Sequence, residues 1–370
     1  MISPKANVII FEGGSTLSPV EAELFQIRRA VLQDNLERIL RFDDKLEGVT
    51  VVTNYPEIYR DASSFSGVKV HTPSTPFHFG EELHRVVNSY HMEKVLYLGN
   101  AGFPLLSDQE LEYTLEHLLA EDCTVFTNNV QSSDLVAFSP GQALSSITLP
   151  NMDNSLAVLL RDEAGLTMEM LPTFPGVLFD LDTPADYLVL GCLSSIGYRT
   201  RQALENAPLD FNTMQEAASV LDDYYLEAAL VGRVGAPLIA HINNHLKLRL
   251  RIFSEERGMK ALGKLQAGEV VSLLGYYIEE MGLPKFFSYL EKVVQVAFID
   301  SRVLFAHFKK DYTTEERFLS DLGRWQELRD PWLKEFTRLS AESSIPIILG
   351  GHSLVSGGLW VLTDELFSRS

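Results

Sequence analysis

The segment FDLDTPADY (179–187) places Asp180, Asp182 and Asp186 close together behind an apolar stretch. Neighbouring carboxylates are ligands for a hard divalent ion such as Mg2+, and alternation along a strand would turn Asp180 and Asp182 to one face. Part of the segment has a simpler account. Thr183 as N-cap, Pro184 at the first helical position and Asp186 at the third make a good helix start. That leaves Asp180 and Asp182 as candidate metal ligands, and Asp182 as a candidate catalytic residue. FEGGSTLSP (11–19) offers Gly13, Gly14 and Ser15 as a turn whose amides can receive phosphate. It is neither G-x-G-x-x-G nor a P-loop, and an ordinary strand–helix turn would look the same. In GNAGFPLLSDQEL (99–111), Ser107 and Glu110 read as a capping box, while Asn100 sits where open α/β sheets place ligands. Asn100 can hydrogen-bond but is a poorer ligand for a hard cation than a carboxylate.

Polar clusters also follow apolar runs in the second half: SEERGM (254–259), HFKKD (307–311) and GGHSLVSGG (350–358). If those runs are parallel strands, Glu255, Arg257, His307, His352 and Ser353 converge on one edge. Gly351, His352 and Ser353 are then ligand-binding candidates, and Arg257 a candidate catalytic cation. His352 and Ser353 do not suit a Ser–His catalytic pair, because neighbours on an extended chain point apart.

These residues must be positioned by ordinary elements. NVIIF, VTVVT, VKVHT, KVLYLG and CTVFTNN read as buried strands separated by helical segments, and LVAFS (135–139) as a further strand. GVLFDLDTPADYLVLGCL (176–193) reads as a strand, a polar turn and a helix. Apolar strands alternating with helices predict a mostly parallel sheet covered on both faces. Beyond the polar stretch 198–213, MQEAASVLDDYYLEAALVG and LPKFFSYLEKVVQVAFI read as helices. LRLRIF and RVLFAH (302–307) read as strands, and IPII as a short buried one. The expected organisation is an α/β domain over 1–200 and a helix-rich α/β domain over 201–370.

The chain has 370 residues, 46% hydrophobic and 22% charged, with a net charge of −19 from 31 basic and 50 acidic side chains. Such a chain repels nucleic acid and carries no basic stripe, although local cations can still bind a small phosphate ligand. Cys123 and Cys192 are too few for a disulfide framework or zinc cage and are expected as reduced core residues. MISPKANVIIFEGG runs directly into a strand without a signal core, and no apolar run approaches the ~20 residues that span a bilayer. A cytoplasmic protein is expected. No membrane partner is implied, and assembly into a homo-oligomer is left open.

The order of the GG loop after the first strand, VVTN (51–54), VLYLGNAGFPLLSDQEL, SSDLVAF (132–138) and FDLDTPADY resembles the nucleotide-diphospho-sugar transferase superfold. The resemblance is especially to small nucleotidyltransferases such as molybdenum-cofactor guanylyltransferase and phospholactate guanylyltransferase, over roughly residues 5–195. The resemblance implies a GT-A-like sheet that binds a nucleoside triphosphate or sugar nucleotide, with Gly13, Gly14, Ser15, Asn100 and Asp134 at the ligand. It also implies Mg2+ to neutralise the phosphates while a small phosphorylated or acidic substrate attacks the α-phosphorus. The sequence departs from that family in two places. No basic residue follows the GG loop before Arg28 and Arg29, and Asn100 replaces the usual metal-binding aspartate. A non-catalytic nucleotide or metabolite binder on the same scaffold is therefore the second reading, with any chemistry in the C-terminal domain.

Overall fold

The computed structural model describes residues 4–99, 103–130, 133–260 and 262–369. It divides into two compact units: Met1–Thr16, Ile27–Asp180 and Gly197–Thr200 form the first, and Leu17–Gln26, Leu181–Ile196 and Arg201–Ser370 the second.

Among the described residues, the first unit is built on a mixed seven-stranded sheet. Its strands are β1 (Ala6–Phe11), β2 (Leu46–Val52), β3 (Val68–His71), β4 (Lys94–Leu98), β5 (Thr124–Thr127), β6 (Leu135–Ser139) and β7 (Thr167–Met170). The order is β3-β2-β1-β4-β6-β5-β7. All pairings are parallel except those of β6, which runs against β4 and β5. The mostly parallel α/β sheet expected for the first half is thus present. β1, β4, β5 and β6 are buried at every position, which is why they read as continuous apolar runs rather than alternating ones. Phe11, Phe79 and Tyr97 meet edge to face with centroids 5.2–5.5 Å apart, fixing the carboxyl ends of β1 and β4.

The helix Asp108–Ala120 begins with the predicted capping box. Glu110 N donates to Ser107 Oγ at 3.2 Å, and Ser107 N donates to Glu110 Oε2 at 2.7 Å. Ser107→Ala is expected to cost about 1 kcal/mol in urea unfolding, the usual worth of such a cap. The strand expected at GVLFD is instead a helical turn, Pro175–Leu178. Pro175 starts it, and Gly176 N donates to Glu110 Oε1 at 2.9 Å, so the capping glutamate also anchors this turn. Cys123 and Cys192 are free thiols, but Cys123 is exposed and Cys192 half-buried, so neither is the core residue expected. No helix among the described residues is long and apolar enough to cross a membrane.

The second unit carries β8 (Glu227–Gly232), β9 (Arg249–Ser254), β10 (Val296–Asp300) and β11 (Ile347–Gly350). All pairings are parallel, in the order β11-β10-β8-β9. The chain leaves β8 toward β9 on one side and β10 toward β11 on the other, so the topological switch point lies between β8 and β10. β9, at the edge, alternates in exposure as its sequence predicts.

Three expectations are corrected here. MQEAASVLDDYYLEAALVG is not one helix but the helix Asn212–Asp222 followed by β8. LPKFFSYLEKVVQVAFI is the helix Leu283–Val293 followed by β10, and RVLFAH is the helix Ser301–His307, not a strand. Asp300 explains the last, since its carboxylate accepts Arg302 N at 3.3 Å and caps that helix. The hidden strands follow helices without an intervening glycine or proline. The first of these breaks turns on Tyr225 at φ +65°.

Candidate functional site

In the first unit, Gly13, Gly14 and Ser15 follow β1, while Asn54 and Tyr55 follow β2 on the same sheet edge. Asn54 clamps the loop: Gly14 N donates to its Oδ1 at 3.0 Å, and its Nδ2 donates to Gly14 O at 2.7 Å. The Tyr55 hydroxyl donates to Ser15 O at 3.1 Å. A Cβ on Gly13 would stand 2.7 Å from Asn54 Oδ1, and one on Gly14 2.7 Å from the Tyr55 hydroxyl. The glycines therefore serve this clamp, and it occupies the Gly14 amide that a phosphate would need. The first two basic residues after the loop are also engaged. Arg28 pairs with buried Glu12, whose carboxyl is pushed upward by burial and only partly held down by the guanidinium. Arg29 pairs with Asp61 through two bonds of 2.7 and 3.1 Å.

At the end of β4, Gly99 N donates to Asp134 O at 2.9 Å, and the Tyr97 hydroxyl donates to Asp153 Oδ2 at 2.9 Å. Burial raises the Tyr97 pKa well above its usual value, and the carboxylates of Asp153 and Asp134 raise it further. Asp134 and Asp153 therefore both bear on one hydroxyl at this edge. Asp153 was not legible in the sequence, because it lies in an aperiodic stretch. The expectation placed on Asn100 lies outside the described residues.

Asp180 ends a segment of the first unit and is half-buried, whereas Asp182 belongs to the second and is exposed. No strand runs through them, so alternation does not turn both to one face. Neither belongs to any cluster of three His, Cys, Asp or Glu ligand atoms among the described residues.

The second unit contains a cavity of about 670 Å3 at the carboxyl edge of its sheet. Residues following all four strands line it: Arg233 after β8, Lys260 after β9, Arg302 after β10 and His352 after β11. Asp182 and Gly351 are also in the lining, and Lys309, Lys310 and Arg317 enlarge its positive charge. Arg233 is held by Asp300 through Nε–Oδ2 at 2.6 Å and Nη2–Oδ1 at 3.1 Å. Gly232 makes this approach possible: it sits at φ +108°, and a Cβ there would lie 2.5 Å from Asp300 Cβ. Burial pushes the Asp300 pKa up, but Arg233 outweighs it with its charge and hydrogen bonds, and the net shift is downward. Arg302 is likewise gripped by Asp321, at 2.7 and 2.6 Å. Arg317 is pulled below its usual value by burial and by Arg302, and its Nε has no hydrogen-bond partner.

His352 is exposed, yet desolvation and the nearby Arg233, Arg257 and Lys260 lower its pKa to about 4 against the opposing pull of Asp300. It is neutral at physiological pH. Arg257 lies against Gly235, its Nη2 3.4 Å from where a Cβ would stand. Ser353 turns inward instead, donating to Asp186 Oδ2 at 2.7 Å. The glycines before it pack closely as well: a Cβ on Gly350 would meet Ala185, and one on Gly351 would meet Thr183. Packing thus accounts for most of LGGHS, with His352 left facing the cavity. Glu255 and His307 hold a helix start, since Ser272 Oγ donates to Glu255 at 2.6 Å and Ser272 N to His307 Nδ1 at 3.1 Å. Lys260, Arg302 and Arg317 were not singled out from sequence, and Lys309 and Lys310 stood only as part of HFKKD, because only the folded topology assembles these cations.

Solved structures similar to about half of this chain include nucleotidyltransferases. A CMP:2-keto-3-deoxy-manno-octonic acid synthetase complexed with CTP is 18% identical, covering 55% of this chain and 100% of its own, with a TM-score of 0.38. A cytidylyltransferase from Leptospira borgpetersenii is 20% identical, covering 54% and 92%, with a TM-score of 0.40. A 4-diphosphocytidyl-2C-methyl-D-erythritol synthase from Anaerococcus prevotii is 13% identical, covering 50% and 95%, with a TM-score of 0.38. No protein-family model matches the chain, and no curated protein matches it.

Proposed function

We propose that the protein is a nucleotidyltransferase-like, cytoplasmic binder of a nucleoside triphosphate or sugar nucleotide, and that the second unit's cavity receives the phosphate-bearing part. The observation that carries this reading is a concentration of Arg233, Lys260, Arg302, Lys309, Lys310 and Arg317 around one cavity in a chain of net charge −19. Its place at the carboxyl ends of parallel strands, beside a switch point, is where open α/β sheets hold ligands. A volume near 670 Å3 is of the size small-molecule sites have. Asp300 and Asp321 neutralise and orient two of the arginines and Asp330 pairs with Lys310 at 3.5 Å, leaving Lys260, Lys309 and Arg317 to supply the excess field. Neutral His352 can donate or accept a hydrogen bond there without adding charge.

Asp182, which shares this lining with Asp311, is the carboxylate where Mg2+ would bind, with phosphate oxygens completing the shell. The ion would neutralise phosphate charge. The chain's own contribution to transfer would be positioning and electrostatic stabilisation by fixed cations. One set of contacts favours the non-catalytic reading: Arg28, Arg29 and the Gly14 amide are committed to Glu12, Asp61 and Asn54, so the first unit's loop lacks a free cationic grip.

Thermal unfolding against nucleoside triphosphates, sugar nucleotides and pyrophosphate, with and without Mg2+, tests the proposal. A ligand at 100 times its dissociation constant stabilises by about 2.7 kcal/mol, a shift of a few degrees. Lys260→Ala with Lys309→Ala should abolish the shift, and Asp182→Ala should remove its Mg2+ dependence. No shift with any phosphate compound, or one indifferent to the double variant, overturns the assignment of the cavity. Binding without turnover would select the non-catalytic reading.

A further inference from the structure

Elsewhere in the second unit, His241 and His245 stand one turn apart on the helix Ala236–His245, which packs against the helix Leu359–Arg369 carrying Asp364. Residues four apart share a helix face. One ligand atom from each of these three side chains lies within 4.8 Å of the others, the only such group among the described residues.

The surroundings orient the two rings for coordination. His245 Nδ1 donates to the His241 carbonyl at 2.8 Å, which places its proton there and leaves the Nε2 lone pair free. The His241 side chain is only 10% exposed; it stacks on Trp360 at 3.8 Å and 9°, and hydrogen-bonds the Trp360 backbone. Phe367 meets His245 edge-on at 4.8 Å. His241 Nε2 is buried, and Asp364 Oδ1 lies 2.8 Å from it. Bonds of about 2.0–2.2 Å to a zinc-class ion hold two ligand atoms roughly 3.3 Å apart, so a small spreading of this contact lets the ion take the place of the imidazole proton. Asp364 is 35% exposed, which leaves a route for the ion and room for water ligands.

We propose that His241, His245 and Asp364 form a site for a zinc-class divalent ion that ties the helix Ala236–His245 to the helix Leu359–Arg369. Two imidazole nitrogens and one carboxylate suit Zn2+ and its transition-series neighbours, whereas Mg2+ and Ca2+ prefer all-oxygen shells. Three protein ligands leave at least one position for water. Because the ion binds the folded arrangement, it stabilises the second unit.

The test uses untagged full-length protein stripped with a chelator, then titrated with Zn2+ alone and with Co2+ as a visible reporter. The expected result is one equivalent bound, a melting temperature raised by a few degrees, and Co2+ absorption bands that Zn2+ displaces. Mg2+ at the same concentration should do nothing. His245→Gln and Asp364→Asn should each weaken Zn2+ binding at least about tenfold, the scale on which metal sites respond to altered ligation. Unchanged affinity in either folded variant, or no Co2+ bands in the wild-type chain, overturns the proposal. The wild-type Co2+ spectrum decides the matter even if a variant fails to fold.

Discussion

Asp300→Ala should destabilise the protein by about 3–5 kcal/mol, the cost of leaving one member of a buried ion pair without its partner. Asp300 is fully buried, and the Arg233 side chain it faces is 10% exposed. Removing the carboxylate strands the guanidinium against Gly232 and the other cations of the cavity. It also removes the acceptor for Arg233 N at 3.3 Å and the cap on the helix Ser301–His307. Asp300→Asn should lose less, because it keeps the shape and one acceptor but not the charge. Urea unfolding measures both, through the midpoint at constant slope. A loss below about 1 kcal/mol for the alanine variant would mean that Arg233 finds solvent or another partner and that no charge is left stranded.

The same residue shows why sequence revealed one half of the chain more readily than the other. In the first unit, strands such as Ala6–Phe11 and Lys94–Leu98 are buried throughout and separated from helices by turns, so each apolar run announces itself. The caps at Ser107 and Thr183 are legible because all their partners lie within three residues. In the second unit, β8 and β10 follow helices without glycine or proline, and an apolar strand then extends the helical pattern without a visible seam. Missing β10 hid Asp300 as the end of a strand and Arg302 as the start of a helix. The cations of the cavity follow three strands and one long helical stretch, spread from Arg233 to Arg317, so no single local motif contains them all. GGHSLVSGG was legible as unusual, but its first two glycines, Gly350 and Gly351, answer to Ala185 and Thr183, contacts too distant in sequence to be read from it.

Those contacts lead to the second large effect, which concerns Asp186. Its carboxyl is fully buried, and burial together with the charge of Asp182 raises its pKa from 3.8 to about 7, against the opposing bonds from Ser353 and Thr183. Three hydrogen bonds reach Oδ2: Thr183 N at 2.6 Å, Thr183 Oγ1 at 3.0 Å and Ser353 Oγ at 2.7 Å. Oδ1 is buried without a partner. Because the folded pKa lies above the unfolded one, the folded state holds the extra proton between pH 3.8 and about 7. The associated stability is therefore complete below the lower value and lost as pH rises through the upper one, by about 4 kcal/mol in order of magnitude. Asp186→Asn removes this dependence while keeping an acceptor for Ser353 and Thr183. Urea unfolding of both proteins from pH 5 to pH 8 should show the variant gaining on the wild type as pH rises. At pH 5 the two should lie closer together or favour the wild type, since its protonated carboxyl is then neutral and well bonded. Parallel profiles across that range would show that Asp186 is ionised throughout, and that the Ser353 and Thr183 hydroxyls suffice to hold a buried charge.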